Sequence, residues 1–393
     1  MGETKLRILY VHRGVEGSDG WGRSFFLASG LSKLGHEVTF MTIKKGSGLT
    51  IEKKLLEGVH VVSFPEFMPN KLRGSGFGLF SLILKIPFSI WNKFDLVISD
   101  CGHRPSALPA FLNQYLRGAN HLSEWWDLFG EGGYYKEKPF YFRLFYGKLE
   151  KWFEVKSKRM VDGVIVLSSW MYNWAKKNGI KNIAIIRGGA LTSTLKYSPP
   201  IKKSKVDKLI VAYLGMADTE LDFIRPAFEA FSDPNIKQKV ELWGFGKPVS
   251  RQKINEYKIN DILVEKGWLD YLNDVSAISE VDVFLMVRKV NQNALAGWPN
   301  KLGDYLALGR PVLIHPYGDL NDFVAKNQEG FILVDFEKKS IVNALQDILN
   351  EKYDLEAMGK KNRILAESIS WEKKSKEIIM FYDQIQKSKK KSS

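Results

Sequence analysis

The start of the chain carries a pattern that few folds can satisfy. Leu6-Arg7-Ile8-Leu9-Tyr10-Val11 is an apolar run of strand length, and Gly14 to Gly22 is a loop with glycines at 14, 17, 20 and 22. Ser24 to Leu34 has helical spacing and is stopped by Gly35, after which Val38-Thr39-Phe40-Met41-Thr42 is a second strand. Strand, glycine loop, helix and strand within about forty residues make a βαβ unit, which requires a parallel sheet. Leu209 to Leu214, Gly215 and a helix over 223–231 begin the same pattern again. A chain of 393 residues with 45% hydrophobic and 13% aromatic content can bury two cores. The expectation is an α/β chain of two Rossmann-like domains. Residues 1–192 form the first, 193–208 a Pro- and Lys-rich linker, and 209–370 the second. Residues 371–393 hold a helix that crosses back to the first domain and ends in a basic tail.

The remaining strands read as short apolar runs. They are Val59–Phe64, Phe94–Ser99, a short run from Asn120, Gly163–Leu167 and Asn182–Ile186 in the first half. Val240–Gly246, Ile262–Glu265, Val281–Val287 and Val312–Ile314 follow in the second. Ligands of open parallel sheets bind at the carboxyl ends of strands, so the polar residues there are the candidates for chemistry. Asp100 and His103 follow one strand, and Asp127 follows another. Glu124 and Trp126 lie beside Asp127, where a carboxylate can bind sugar hydroxyls and an indole can cover a sugar ring. Gly20, Gly22 and Arg23 close the first glycine loop.

Several function classes are excluded or left unsupported. One cysteine, Cys101, rules out a disulfide framework and a Cys-rich metal site and fits a reducing cytosol. No cluster of His and acids has metal-ligand spacing, so no metal and no resident cofactor is expected. Lys and Arg number 58 against 44 Asp and Glu, a formal charge of +14, yet no nucleic-acid motif accompanies it. Neither a leader peptide nor a spanning helix is expected, which favours a cytoplasmic protein. The apolar stretch Phe77 to Trp91, flanked by Lys71, Arg73, Lys85 and Lys93, is either a helix on the sheet or a face for anionic lipid. The basic and aromatic stretch Lys136 to Arg159 carries the same pair of readings, which would place the protein on the inner face of the membrane.

The most specific segment is Ala296-Gly297-Trp298-Pro299-Asn300-Lys301-Leu302-Gly303-Asp304-Tyr305-Leu306-Ala307-Leu308-Gly309-Arg310-Pro311. A turn leads into a helix with Asp304 in its first turns, and Gly309 and Pro311 end it. This segment resembles the donor loop and helix of family 4 glycosyltransferases, retaining enzymes of the GT-B fold, in which two Rossmann-like domains face a central cleft. The resemblance implies a glycosyltransferase that moves a sugar from a nucleotide-diphospho-sugar, its substrate rather than a cofactor, to a glycan or lipid-linked acceptor. It puts Asp304 on the ribose, Gly215 beside the diphosphate, and Trp268 and Leu269 near the base; because the family's basic pair after Gly215 is missing, the diphosphate's charge is expected to be met by Arg23, Arg288 or Lys301 with the helix-terminal amides after Asn300. Arg23, Gly20 and Gly22 join the donor set, and Glu124 and Trp126 face the acceptor. Asp100 or His103 falls nearest the donor sugar, and Asp127 is the third catalytic candidate. Two departures stand out. Ala296 occupies the position where the family carries a Glu near the donor sugar, and Met216, Asp218 and Glu220 follow Gly215 where the family has basic residues for the diphosphate. They support a second hypothesis, a GT-B protein that binds a sugar or partner without turnover. A nicotinamide-dependent dehydrogenase is a third, resting on two incomplete glycine turns.

Overall fold

Apolar runs that alternate with helices have one stable arrangement: strands side by side with helices on both faces. We describe it from a computed structural model, which covers residues 5–392 except 19, 47, 69–77, 130–139, 141–142, 198–207, 216–220 and 270–275. Lys71, Arg73, most of the proposed linker, and Met216, Asp218 and Glu220 lie outside the described residues. The chain divides into two compact units. One comprises Met1–Gly189, Gln292–Trp298 and Trp371–Ser393, and the other Ala190–Asn291 and Pro299–Ser370.

In the first unit the strands are β1 (Arg7–Val15), β2 (Glu37–Ile43), β3 (Glu52–Leu56), β4 (Val59–Phe64), β5 (Leu96–Ser99), β6 (Asn120–Trp125), β7 (Gly163–Val166) and β8 (Ile183–Ile185). Their order is β3-β4-β2-β1-β5-β6-β7-β8, and every described pairing is parallel except β3 with β4. The chain runs outward from β1 through β2 and β4, then returns to β5 on the other side of β1. That reversal is where open sheets bind ligands. Helices α1 (Trp21–Lys33), α2 (Leu79–Trp91), α3 (Arg104–Arg117), α4 (Lys148–Arg159) and α5 (Ser169–Lys177) cover the faces. The last helix, Trp371–Ser392, packs on α1, with Ser375 Oγ donating to the Leu27 carbonyl at 2.9 Å. This approach needs Gly30, because a Cβ there would stand 2.2 Å from Ser375 Oγ.

The second unit has β9 (Leu209–Gly215), β10 (Val240–Gly246), β11 (Leu263–Gly267), β12 (Val283–Met286), β13 (Val312–Ile314) and β14 (Phe331–Leu333) in the order β11-β10-β9-β12-β13-β14. All pairings are parallel, and the order reverses between β9 and β12. Val211, Leu242, Val283, Leu285 and Leu313 are buried in its core with Phe228 and Phe231. Two independent parallel sheets therefore exist, as the repeated pattern predicts.

Three local expectations change. The strand after Ile51 was not foreseen, because Glu52-Lys53-Lys54-Leu55-Leu56 lies at an edge and is mostly exposed, so no inward-facing apolar period marks it. The Gln292–Trp298 segment, expected in the second domain, belongs to the first unit. Ser168 Oγ, before α5, donates to the Ala296 carbonyl at 2.8 Å, and Ala296 is buried among Trp125, Val164 and Met171. Lys85, counted among the basic flanks of the stretch read either as a helix on the sheet or as a face for lipid, is fully buried, with Nζ donating to the His12 carbonyl at 2.9 Å, which favours the helix on the sheet.

Candidate functional site

In the first unit the candidates gather at the carboxyl ends of β1, β5 and β6. Asp100 directly follows β5 and is completely buried. It lies 2.5 Å from His12 Nδ1 and accepts from the Arg13 backbone N–H at 3.1 Å through both oxygens. Burial alone would raise its carboxyl; the His12 and Arg13 contacts outweigh this and hold it at about 2. After β5 the backbone turns through left-handed conformations at Cys101 and Gly102. A Cβ on Gly102 would stand 2.5 Å from Lys158 Nζ, so glycine lets the turn sit on that amine. The turn delivers His103 to the position before α3. His103 meets the Phe129 ring edge-on at 4.5 Å and keeps Nε2 buried without a hydrogen bond among the described residues. Burial, with Arg13 nearby, pushes its pKa well below the usual histidine range, so the ring is a neutral imidazole.

Glu124 and Arg23 face inward. The Arg23 guanidinium meets Glu124 at 2.7 Å, donates to the Ile186 carbonyl at 2.9 Å and lies over the Trp371 ring. Tyr10 donates its hydroxyl to the second Glu124 oxygen. Arg23 is 2% exposed and Glu124 not at all, so donor contact through Arg23 and acceptor contact through Glu124 have no exposed atom to rest on. A buried carboxylate needs a partner, and the strand end supplies one from α1. Trp126 is also turned in. A Cβ on Gly20 would stand 2.7 Å from its ring, and Gly20 has φ of 82°, so this glycine serves packing of the loop on the indole. Gly22 lies inside the first turn of α1 rather than in the loop. Asp127 is half-buried, close beside Gly297, where a Cβ would stand 3.6 Å from its Oδ1.

Four residues here escaped the reading of the sequence: Tyr10, His12, Arg13 and Lys158. Lys158 is buried in α4 and donates from Nζ to Ser123 Oγ and to the Glu124 carbonyl, both at 2.6 Å. Burial draws it down to about 8 against the acidic groups nearby. The signal available was His12-Arg13, two basic groups interrupting an apolar strand at its carboxyl end.

In the second unit Gly215 ends β9 with φ of 134°. Lys301 Nζ donates to the Leu214 carbonyl at 2.8 Å and lies 3.4 Å from the place a Gly215 Cβ would take. Lys301 opens helix α6 (Lys301–Ala307), which carries half-buried Asp304 in its first turn. Tyr305 anchors that helix to the sheet. Its ring stacks on Phe284 at 4.0 Å and its hydroxyl accepts from the Leu214 N–H at 3.0 Å. Lys301 and Asp304 thus stand at the carboxyl end of β9, beside the reversal in strand order. Asn300 precedes α6 and is exposed, Arg288 lies two residues past β12 and is half-buried, Trp268 is exposed just after β11, and Leu269 is half-buried. No group of three or more His, Cys, Asp or Glu able to hold a metal occurs among the described residues.

Two parallel-sheet units built this way define the GT-B glycosyltransferase architecture, and solved structures share it. A sucrose-phosphate synthase from Thermosynechococcus elongatus superposes with a TM-score of 0.71 at 16% identity, over 98% of this chain and all of that one. HepE of Anabaena, solved with UDP and glucose, gives 0.69 at 11% identity, over 96% and 100%. WaaG, a glycosyltransferase involved in lipopolysaccharide biosynthesis, gives 0.64 at 13% identity, over 94% and 98%. Residues 25–192 match the family model described as Glycosyltransferase Family 4. No curated protein sequence matches it significantly.

Proposed function

We propose that this protein moves a sugar from a nucleotide-diphospho-sugar to a glycan or lipid-linked acceptor, with retention at the anomeric carbon. The observation that carries the reading is the placing of Lys301 beside left-handed Gly215, with Asp304 one turn further along the same helix. A lysine at a strand's carboxyl end meets a diphosphate, and a carboxylate one turn on accepts from ribose hydroxyls. In the first unit neutral His103 and half-buried Asp127 are the groups that contact sugar. Asp100 acts through His12 and Arg13 as a positioning residue.

In the reaction the bond from the anomeric carbon to the diphosphate breaks, and the acceptor oxygen bonds to that carbon on the same face. The departing phosphate oxygen takes the acceptor proton, so no protein base is required. Positive charge develops on the sugar and negative charge on the diphosphate, where Lys301 stabilises it. His103→Ala should lower turnover more than nucleotide affinity, because its contact strengthens in the transition state.

Calorimetric titration with a panel of UDP-, GDP- and ADP-sugars tests the reading. Asp304→Ala should weaken binding by about 10- to 150-fold, the loss of a charge-assisted hydrogen bond. Binding of a nucleotide-sugar with unchanged affinity in Asp304→Ala would sink the ribose role. Ala296 favours a second reading, sugar binding without turnover, because it is core and offers the donor no carboxylate. Transfer or slow hydrolysis of the donor separates the two.

A further inference from the structure

Helix α4 sorts its charges by face. Glu154 is buried and accepts from Trp125 Nε1 at 2.8 Å, and Glu150 turns to Arg104. Lys148, Lys151, Lys156 and Arg159 are exposed. At 3.6 residues per turn Trp152 falls between Arg159 and Lys156 and Leu149 lies just beyond Lys156, so one exposed arc of the helix interleaves cations with apolar side chains. Trp152 is 59% exposed on it, with Leu149 beside it. The arc continues past the helix end. Met160 is exposed, and its carbonyl accepts from Tyr115 at 3.4 Å; Tyr115 and Leu116 stand exposed at the end of α3. Arg117 next to them donates to the Ile90 carbonyl, which brings in Trp91, 77% exposed at the end of α2.

We propose that this ribbon of the first unit docks on an anionic lipid bilayer. Exposed tryptophans and aliphatic side chains bordered by lysine and arginine, with the acids of the same helix turned inward, match the headgroup boundary of such a surface. A nucleic acid would use the cations and leave Leu149, Met160 and Leu116 in water. A second copy would bring the same cations against themselves. The inference concerns the surface alone and stands whether or not the chain transfers a sugar.

The test is co-sedimentation of the full chain with vesicles of mixed phosphatidylcholine and phosphatidylglycerol, against phosphatidylcholine alone. Binding should favour the anionic vesicles and fall with salt. Leu149→Ser with Trp152→Ser should lower the partition coefficient by at least about tenfold, since both side chains would leave the apolar boundary. Each of Lys148→Gln, Lys156→Gln and Arg159→Gln should lower it about fivefold. Lys360→Gln with Lys361→Gln, on the second unit, should change nothing. These side chains are exposed, so far-UV circular dichroism should remain that of the parent. Absence of binding at low salt overturns the proposal. So does equal loss in the control pair, because net charge alone would then explain binding. Assembly into dimers that the Trp152→Ser substitution disperses overturns it in favour of a second copy.

Discussion

Asp100, buried against His12, has a titration open to measurement. The Asp100 carboxyl is held at about 2, below the 3.8 of an unperturbed aspartate, so the unfolded chain binds that proton more tightly. The stabilisation is complete above the unfolded value and is lost as pH falls through 4 toward 2. It amounts to roughly 2 kcal/mol. Denaturant unfolding at pH 6 and at successive points down to about 3 should show a shallower loss of stability in Asp100→Asn than in the parent. Glu124 offers a sharper contrast. Glu124→Ala leaves Arg23 buried and uncompensated and should cost about 3–5 kcal/mol, read as a lower urea midpoint. An unchanged midpoint with altered acceptor use would return Glu124 to the role its position after a strand first suggested.

At the scale of elements, glycines record where two backbones meet. Gly246 ends β10 with φ of 126°, and a Cβ there would lie 2.2 Å from the Gly215 carbonyl oxygen. Gly246→Ala must move β9 away from β10 at the point where Lys301 sits. It should lower stability by about 1–3 kcal/mol and weaken nucleotide-sugar binding in the same variant, measured by thermal shift with and without donor. Gly30→Val tests the other close approach. The added side chain meets Ser375 and should loosen the last helix from α1, visible as faster amide exchange across Trp371–Ser392, at a cost of about 1–3 kcal/mol.

At the scale of the molecule, the first unit is not contiguous in sequence. The last helix brings Trp371, Ile378, Phe381 and Ile385 to it, all buried. Burying such side chains is worth about 1.5–3 kcal/mol each, so together they rival the whole stability of an ordinary domain. A fragment of residues 1–189 should therefore fail to give a cooperative unfolding transition, and a peptide of residues 371–392 added in trans should restore one. Cooperative unfolding of the fragment alone would show that the helix is dispensable.

The sequence by itself determined the two parallel sheets, because apolar runs separated by glycine turns and helical spacing admit no other arrangement. It also determined Lys301 and Asp304 as neighbours on one helix, since three residues apart is one helical turn. Tertiary structure decided which polar residues at strand ends are exposed. Asp100 and Glu124 stand in equivalent places in the text of the chain, yet each is buried by a partner far away: Arg13 is 87 residues from Asp100, and Arg23 is 101 from Glu124. Periodicity reports which face of an element is apolar, and it is silent about a charge brought in by another element. The same limit applies to α4. Its basic and aromatic composition was plain, but only packing turned Glu154 and Lys158 inward and left Trp152 among lysines on the surface.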